Sequence, residues 1–384
     1  MRSKNFRLLG LLLIISLNSY SQNVIDAKFG KGISLQAADS SFALKFSTRF
    51  QSLYVGELDL ETDEWNDNIL IRRARLKFDG YAYDPRLVYK IELAISNRDN
   101  GRVAPESNLA ANIVLDAVLK YNFAKGWHIW FGQTKLPGNR ERVISSQKLQ
   151  FVDRSQVNSN FTIDRGMGVQ LRHKHNIGRA VIKEQFAWSF GEGRNRTATN
   201  VGGYEYTSRL EILPFGEFQS KGDYFGSDLK RENNPKLAVG ITYDQNNNTT
   251  RVRGFRGDYL STPRDQITIF VDAMFKYKGF SSMIEYANKE TDDNPVVVDG
   301  IYYTGEGFTG QAGYLFKNNF EVATRYTIIQ PEDITGREEF SQYTLGFSKY
   351  FVGHSLKIQS DLTYEDQSVS NDNFIYRFQV EFAF

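Results

Sequence analysis

Apolar and polar side chains alternate along this chain with a period of two. Phe42, Leu44, Phe46, Thr48, Phe50 and Tyr54 share one parity, and Lys45, Ser47, Arg49 and Gln51 fill the other. The last stretch is cleaner: Phe374, Tyr376, Phe378, Val380, Phe382 and Phe384 alternate with Ile375, Arg377, Gln379, Glu381 and Ala383. Such a pattern predicts strands with one apolar face and one wet face. Sixteen segments fit it, near 42–56, 69–83, 86–97, 111–123, 127–135, 165–174, 180–190, 204–214, 236–244, 266–277, 280–289, 307–316, 320–329, 341–350, 355–365 and 373–384. Most reach the roughly 9–11 residues a tilted strand needs to cross a bilayer, whereas soluble strands have a mode of about 5–6.

The connections alternate too. Short links at Asp84-Pro85, 124–126, 176–178, Lys278-Gly279, 317–319 and 352–354 separate longer polar ones at 57–68, 98–110, 136–164, 191–203, 245–265, 290–306, 330–340 and 366–372. Short turns on one side and long loops on the other suit a bacterial barrel. Residues 215–235 break the rule: either a strand is miscounted there or an insertion sits on the short-turn side. Lipid forbids unpaired backbone groups, so the first strand must close on the last. The expected fold class is all-β, a transmembrane antiparallel β-barrel of about 16 strands.

The N-terminus reads as an export signal. Arg2, Lys4 and Arg7 precede an apolar run from Leu8 to Leu17, and Ser19-Tyr20-Ser21 offers a small-x-small cleavage site. Residues 1–21 are therefore expected to be a signal peptide and 22–384 the barrel domain. Losing that segment takes the formal net charge from +2 to about −1, so nucleic acid is not a partner suggested by bulk charge. Aromatics make up 14% of a chain that is polar on average, with mean hydropathy −0.45. A soluble domain could combine these, but a membrane barrel must, because one strand face meets lipid and the other water. The chain contains 0 cysteines, which excludes disulfides, thiolate metal sites and a lipidated Cys.

Several segments carry a sharper likeness. Residues 29–51, with Phe29-Gly-Lys-Gly-Ile-Ser-Leu-Gln36 and Phe42-Ala-Leu-Lys-Phe-Ser-Thr-Arg-Phe-Gln51, and residues 71–79, Ile-Arg-Arg-Ala-Arg-Leu-Lys-Phe-Asp, resemble the opening strands of the phosphate-selective porin O/P family. Tyr89-Lys90-Ile91-Glu92 and Gly132-Gln133-Thr134-Lys135-Leu136-Pro137 fit the same pattern. The leader's tail, Ser-Tyr-Ser-Gln-Asn, resembles those of Bacteroidetes exported proteins. The resemblance implies an outer-membrane porin, usually a homotrimer, set among outer-membrane lipid and lipopolysaccharide. It also implies passage of small anions such as phosphate or polyphosphate, and no cofactor.

Selectivity in a porin is charge placed along a wet path. Parity puts Lys45, Arg49, Arg73, Arg75, Lys77, Lys90 and Lys120 on the lumen face, and the segments sum to about sixteen basic and eleven acidic inward positions, assuming uninterrupted alternation. Loop 136–164 lies where sixteen-stranded porins commonly fold a loop into the barrel. From Lys135 to Arg154 it carries Lys135, Arg140, Arg142, Lys148 and Arg154 against Glu141 and Asp153. The candidate anion path and constriction is thus Arg49, Arg73, Arg75, Lys77, Lys120, Arg140 and Arg142. The plain alternative is that the wall cations only pair with acids such as Glu92 and Asp116, and that Arg140 and Arg142 sit on an exposed loop tip. Arg72 has lipid-face parity and is expected to snorkel to an interface. Trp127 and Tyr121, flanking a short turn, fit an aromatic belt. His173 and His175 share a strand face but show no third ligand by spacing, so no metal site is expected.

Catalytic motifs are absent: there is no Gly-x-Ser-x-Gly elbow, no His-Glu-x-x-His and no Gly-Lys-Ser/Thr phosphate loop. A general non-specific porin, a barrel lipid hydrolase and a secreted β-rich adhesin are the competing readings. Reversal potential, an activity assay and membrane fractionation separate them in turn.

Overall fold

The computed structural model describes residues 28–100, 112–197 and 199–384. The expected signal peptide lies outside the described residues, as does most of the expected loop 98–110. Sixteen barrel strands follow in chain order: β1 (Phe42–Asp59), β2 (Trp65–Ala82), β3 (Asp84–Ala94), β4 (Val114–Ala124), β5 (Trp127–Lys135), β6 (Arg165–Ile177), β7 (Ala180–Ser189), β8 (Glu205–Leu213), β9 (Lys236–Arg251), β10 (Tyr259–Tyr277), β11 (Phe280–Thr291), β12 (Gly305–Leu315), β13 (Phe320–Pro331), β14 (Phe340–Tyr350), β15 (Leu356–Gln367) and β16 (Asn373–Ala383). Each pairs antiparallel with its neighbour. β16 returns to β1, from Asn373↔Asp59 to Ala383↔Arg49. The ring closes at sixteen strands and leaves no backbone edge for lipid to meet. A short extra strand, Ile33–Gln36, lies on the foot of β1.

Alternation decides which face is which. In β10, Gln266, Thr268, Phe270, Asp272, Met274 and Lys276 are buried inward, while Val271 on the other parity is exposed. Outward positions such as Ile69, Ile71, Phe131 and Ile241 are exposed, as a hydrocarbon-facing band requires. Aromatic rows mark both ends of this band. Phe46, Phe50, Phe382 and Phe384 pack together near the short-turn rim, and Tyr326, Tyr343 and Tyr364 stack near the long-loop rim.

The structure departs from the sequence pattern in three places. A bulge separates Gln51↔Arg73 from Ser52↔Ile71, so Arg72 is an extra residue in β2. The bulge turns Arg72 off the lipid parity, and its guanidinium grips Asp153 at 3.0 and 3.1 Å. It does not snorkel. The expected loop 245–265 is mostly strand: β9 runs to Arg251 and β10 starts at Tyr259. That tall hairpin rises through Asn246, Asn247 and Asn248, where no apolar face is needed and the alternation vanishes. Finally, β8 pairs directly with β9 through Val239↔Ile212. No strand is missing, and residues 214–235 are a true insertion on the short-turn side.

Candidate functional site

Two segments fold into the lumen from opposite ends. The first is the third long loop, 136–164. Its apolar side chains seat it against the wall: Leu136, Val157, Phe161 and Ile163 pack on Phe270, Ala287, Tyr303 and Ile329. Ile144 and Leu149 meet Met274 and Met283. These wall residues occupy lumen positions that would otherwise be wet, so their apolar character marks the loop's seat. Ser155 caps the short helix Gln156–Phe161 by accepting from the Asn158 amide.

Polar anchors fix the same loop. Arg140 is fully buried and its Nε donates to Asp272 at 2.5 Å, with Glu211 at 3.5 Å from Nη2. Burial opposes its charge, but Asp272 and Glu211 outweigh that and raise its pKa. Glu285 accepts from Asn139 Nδ2 and the Glu141 amide. Asp361 accepts from the Val152 amide, and Gln150 donates to Glu321 and Ser281. The carboxylates of β8, β10, β11, β13 and β15 are thus occupied in holding the loop.

The second segment is the insertion 214–235, which rises from the short-turn end. Lys276 of β10 donates to the carbonyls of Gly222, Phe225 and Ser227 at 2.8, 2.8 and 2.9 Å. Ser227 also bonds Glu321 and Tyr350. The insertion touches the loop itself: the Gly226 amide donates to Lys148 O, and Arg140 Nη1 donates to Asp223 O. Lys148 Nζ lies 3.8 Å from the centre of the Phe225 ring. Burial, followed by the nearby Lys77 and Lys221, pulls the Lys148 pKa down to about 8.

Between loop, insertion and the β1–β3 wall lies a cavity of about 920 Å³ at the short-turn end. Its lining carries ten Lys or Arg side chains against three carboxylates, Glu92, Asp228 and Glu232. Lys45, Arg49, Arg75, Lys77 and Lys90 come from the wall, Lys148 from the loop and Lys276 from β10. Beside it, a chain of ion pairs climbs the wall: Asp99–Arg75–Glu92–Lys90–Asp116–Arg165–Asp164–Arg142.

The residue pattern and the closed ring agree with the comparisons. The family model for phosphate-selective porin O and P matches residues 46–382. This chain belongs to that family. The porin is 23% identical over 293 residues to an uncharacterized protein of Aquifex aeolicus, covering 70% of this chain and 67% of that one. Among solved structures it resembles the anion-selective porin from Comamonas acidovorans, with TM-score 0.58 and 11% identity, covering 89% of this chain and 100% of that one. It also resembles OmpT of Vibrio cholerae in a trimer form, with TM-score 0.53, 11% identity and the same coverage. The porin resides in the bacterial outer membrane, so the short-turn end faces the periplasm and the long loops face outward.

The candidate residues separate into groups. Arg49, Arg75 and Lys77 line the porin's basic cavity. Arg49 also bonds Ser146 of the loop and Glu381. Arg73 holds Gln51 and Asp153. Lys120 and Arg172 sandwich the Trp130 ring at 3.8 and 4.0 Å. Arg142 pairs with Asp164. Arg140 stands apart: it sits neither on an exposed loop tip nor on an open constriction, because Asp272 and Glu211 enclose it. The sequence reading counted Lys148 in the basic loop but left it out of the candidate path, and it missed Lys276 and the insertion as parts of the site. Lys276 had the right parity for the lumen, but nothing in the sequence shows that its partners are carbonyls 49 to 54 residues earlier. It also missed Glu184, which cross-strand register sets beside His173.

Proposed function

We propose that this porin is a passive, anion-preferring channel for small oxyanions of the phosphate class, assembled as a homotrimer. The basic periplasmic cavity carries this reading: its ten cationic side chains outnumber both the three carboxylates of the lining and the four, Asp79, Asp99, Asp116 and Glu381, that pair with them from beside it. An unbalanced fixed charge in a narrow, low-dielectric passage concentrates counter-ions of opposite sign. Arg49, Arg75 and Lys77 supply wall charge there, and Lys148 adds charge from the loop. Forked guanidinium donors match the oxygens of phosphate. Arg73, Lys120 and Arg142 are proposed to set the field from outside the cavity. Arg140 is proposed to fasten the loop and not to meet the solute. The anion-selective Comamonas porin and the trimeric OmpT support the reading by their shared fold.

A planar-bilayer recording in a salt gradient tests it, with chloride then exchanged for phosphate. The reversal potential is expected on the anion side, and Arg49→Met, Arg75→Met and Lys77→Met each move it toward zero. A reversal potential on the cation side would remove anion preference and leave a general porin.

A further inference from the structure

Three metal-type ligands converge on the outer face of the barrel near its periplasmic rim. His173 and His175 lie on β6, and Glu184 stands opposite His173 on β7. They share the parity of Leu171 and Phe186, which are exposed on the lipid side. Trp127 packs on His173 with ring centres 4.1 Å apart, and tryptophan belongs to the membrane–water interface. His173 Nδ1 lies 2.6 Å and His175 Nδ1 3.7 Å from the same oxygen, Glu184 Oε2. The two imidazoles stack with centres 4.9 Å apart. One ligand atom from each of the three residues falls within 4.8 Å of the others.

A simple ion pair accounts for half of this arrangement. His173 alone suffices as a partner for Glu184. His175 is then superfluous, and its Nδ1 is buried with no hydrogen-bond partner. A shared cation satisfies all three groups. Ligands held at about 2.1 Å in a tetrahedral shell sit roughly 3.4 Å apart, a spacing that the observed 2.6 and 3.7 Å bracket. Two imidazole nitrogens and one carboxylate oxygen suit zinc, nickel or copper(II) and not calcium or magnesium.

We propose that His173, His175 and Glu184 form a surface site for one divalent transition-metal ion of the zinc class, which clasps β6 to β7 and leaves a coordination position to water. The site is separate from the lumen and does not depend on what the channel passes.

Untagged barrel in detergent micelles, titrated with Zn²⁺ by calorimetry, tests the proposal. One saturable site per chain is expected. His175→Ala and Glu184→Gln each weaken it by about tenfold or more, while His128→Gln, on a lumen-side histidine, leaves it unchanged. Zn²⁺ should also raise the thermal unfolding midpoint of the parent protein and not of His175→Ala. Heat-modifiable gel mobility confirms that each variant is folded, and His175→Gln substitutes if the alanine form is not. Absence of saturable binding in the parent, or binding that survives both substitutions, overturns the site. Binding without a rise in midpoint overturns the clasp.

Discussion

At the scale of single residues, charge in this lumen does two different jobs. Arg140 shows the first. Enclosed by Asp272 and Glu211, it fastens the third long loop to the far wall. Arg140→Met takes one cation from this cluster, while Arg209 still reaches Asp272 at 2.6 Å and Glu211 keeps Arg209 at 3.3 Å and Lys183 at 3.0 Å, so the loss stays below the full cost of an unpaired buried charge. Removing one member of such a network therefore costs less than about 3 kcal/mol. A lower unfolding midpoint and a larger, noisier single-channel conductance are the expected readouts. Lys148 shows the second job. With its pKa drawn down to about 8, it is cationic below that value and neutral above it. Anion preference should therefore decline as pH rises through about 8, and Lys148→Met should shrink that step. Reversal potentials at pH 7 and pH 9 check it. The sequence named Arg140 from its place in a basic loop. Its burial depends on carboxylates of β8 and β10, whose register against the loop is a tertiary fact that no local pattern records.

At the scale of elements, alternation carried the strands and failed where it was interrupted. Every predicted segment overlaps a barrel strand because lipid on one side and water on the other impose a two-residue period. Arg72 was misread because one extra residue in β2 inverts the parity locally. Deleting Arg72 should remove the bulge and its bonds to Asp153, loosening the loop. A rise in conductance at unchanged heat-modifiable mobility would show it. The insertion 214–235 was recognisable only as a connection of the wrong length. Its path into the lumen is set by Lys276 and its three carbonyl partners. Lys276→Met removes all three bonds and should release the insertion. Protease sensitivity near Ser220 and a wider pore are expected, with unchanged sensitivity counting against its role as a fixed plug.

At the scale of the whole molecule, strand count, closure, direction and membrane setting were legible from period two and the loop rhythm. The interior was legible only in part. A polar lumen residue such as Asp272 looks the same in sequence whether it faces water or a folded-in segment, and only the apolar Phe270 and Met274 at lumen parity betray the seat of the third loop. The lumen is also lopsided along its axis, since the basic cavity lies on the periplasmic side of the loop. Fixed charge gathered toward one mouth makes an ionic conductor respond unequally to the two voltage polarities. A single inserted channel in symmetric salt should accordingly rectify like a weak diode, and strong electrolyte, by screening that charge, should straighten its current–voltage curve.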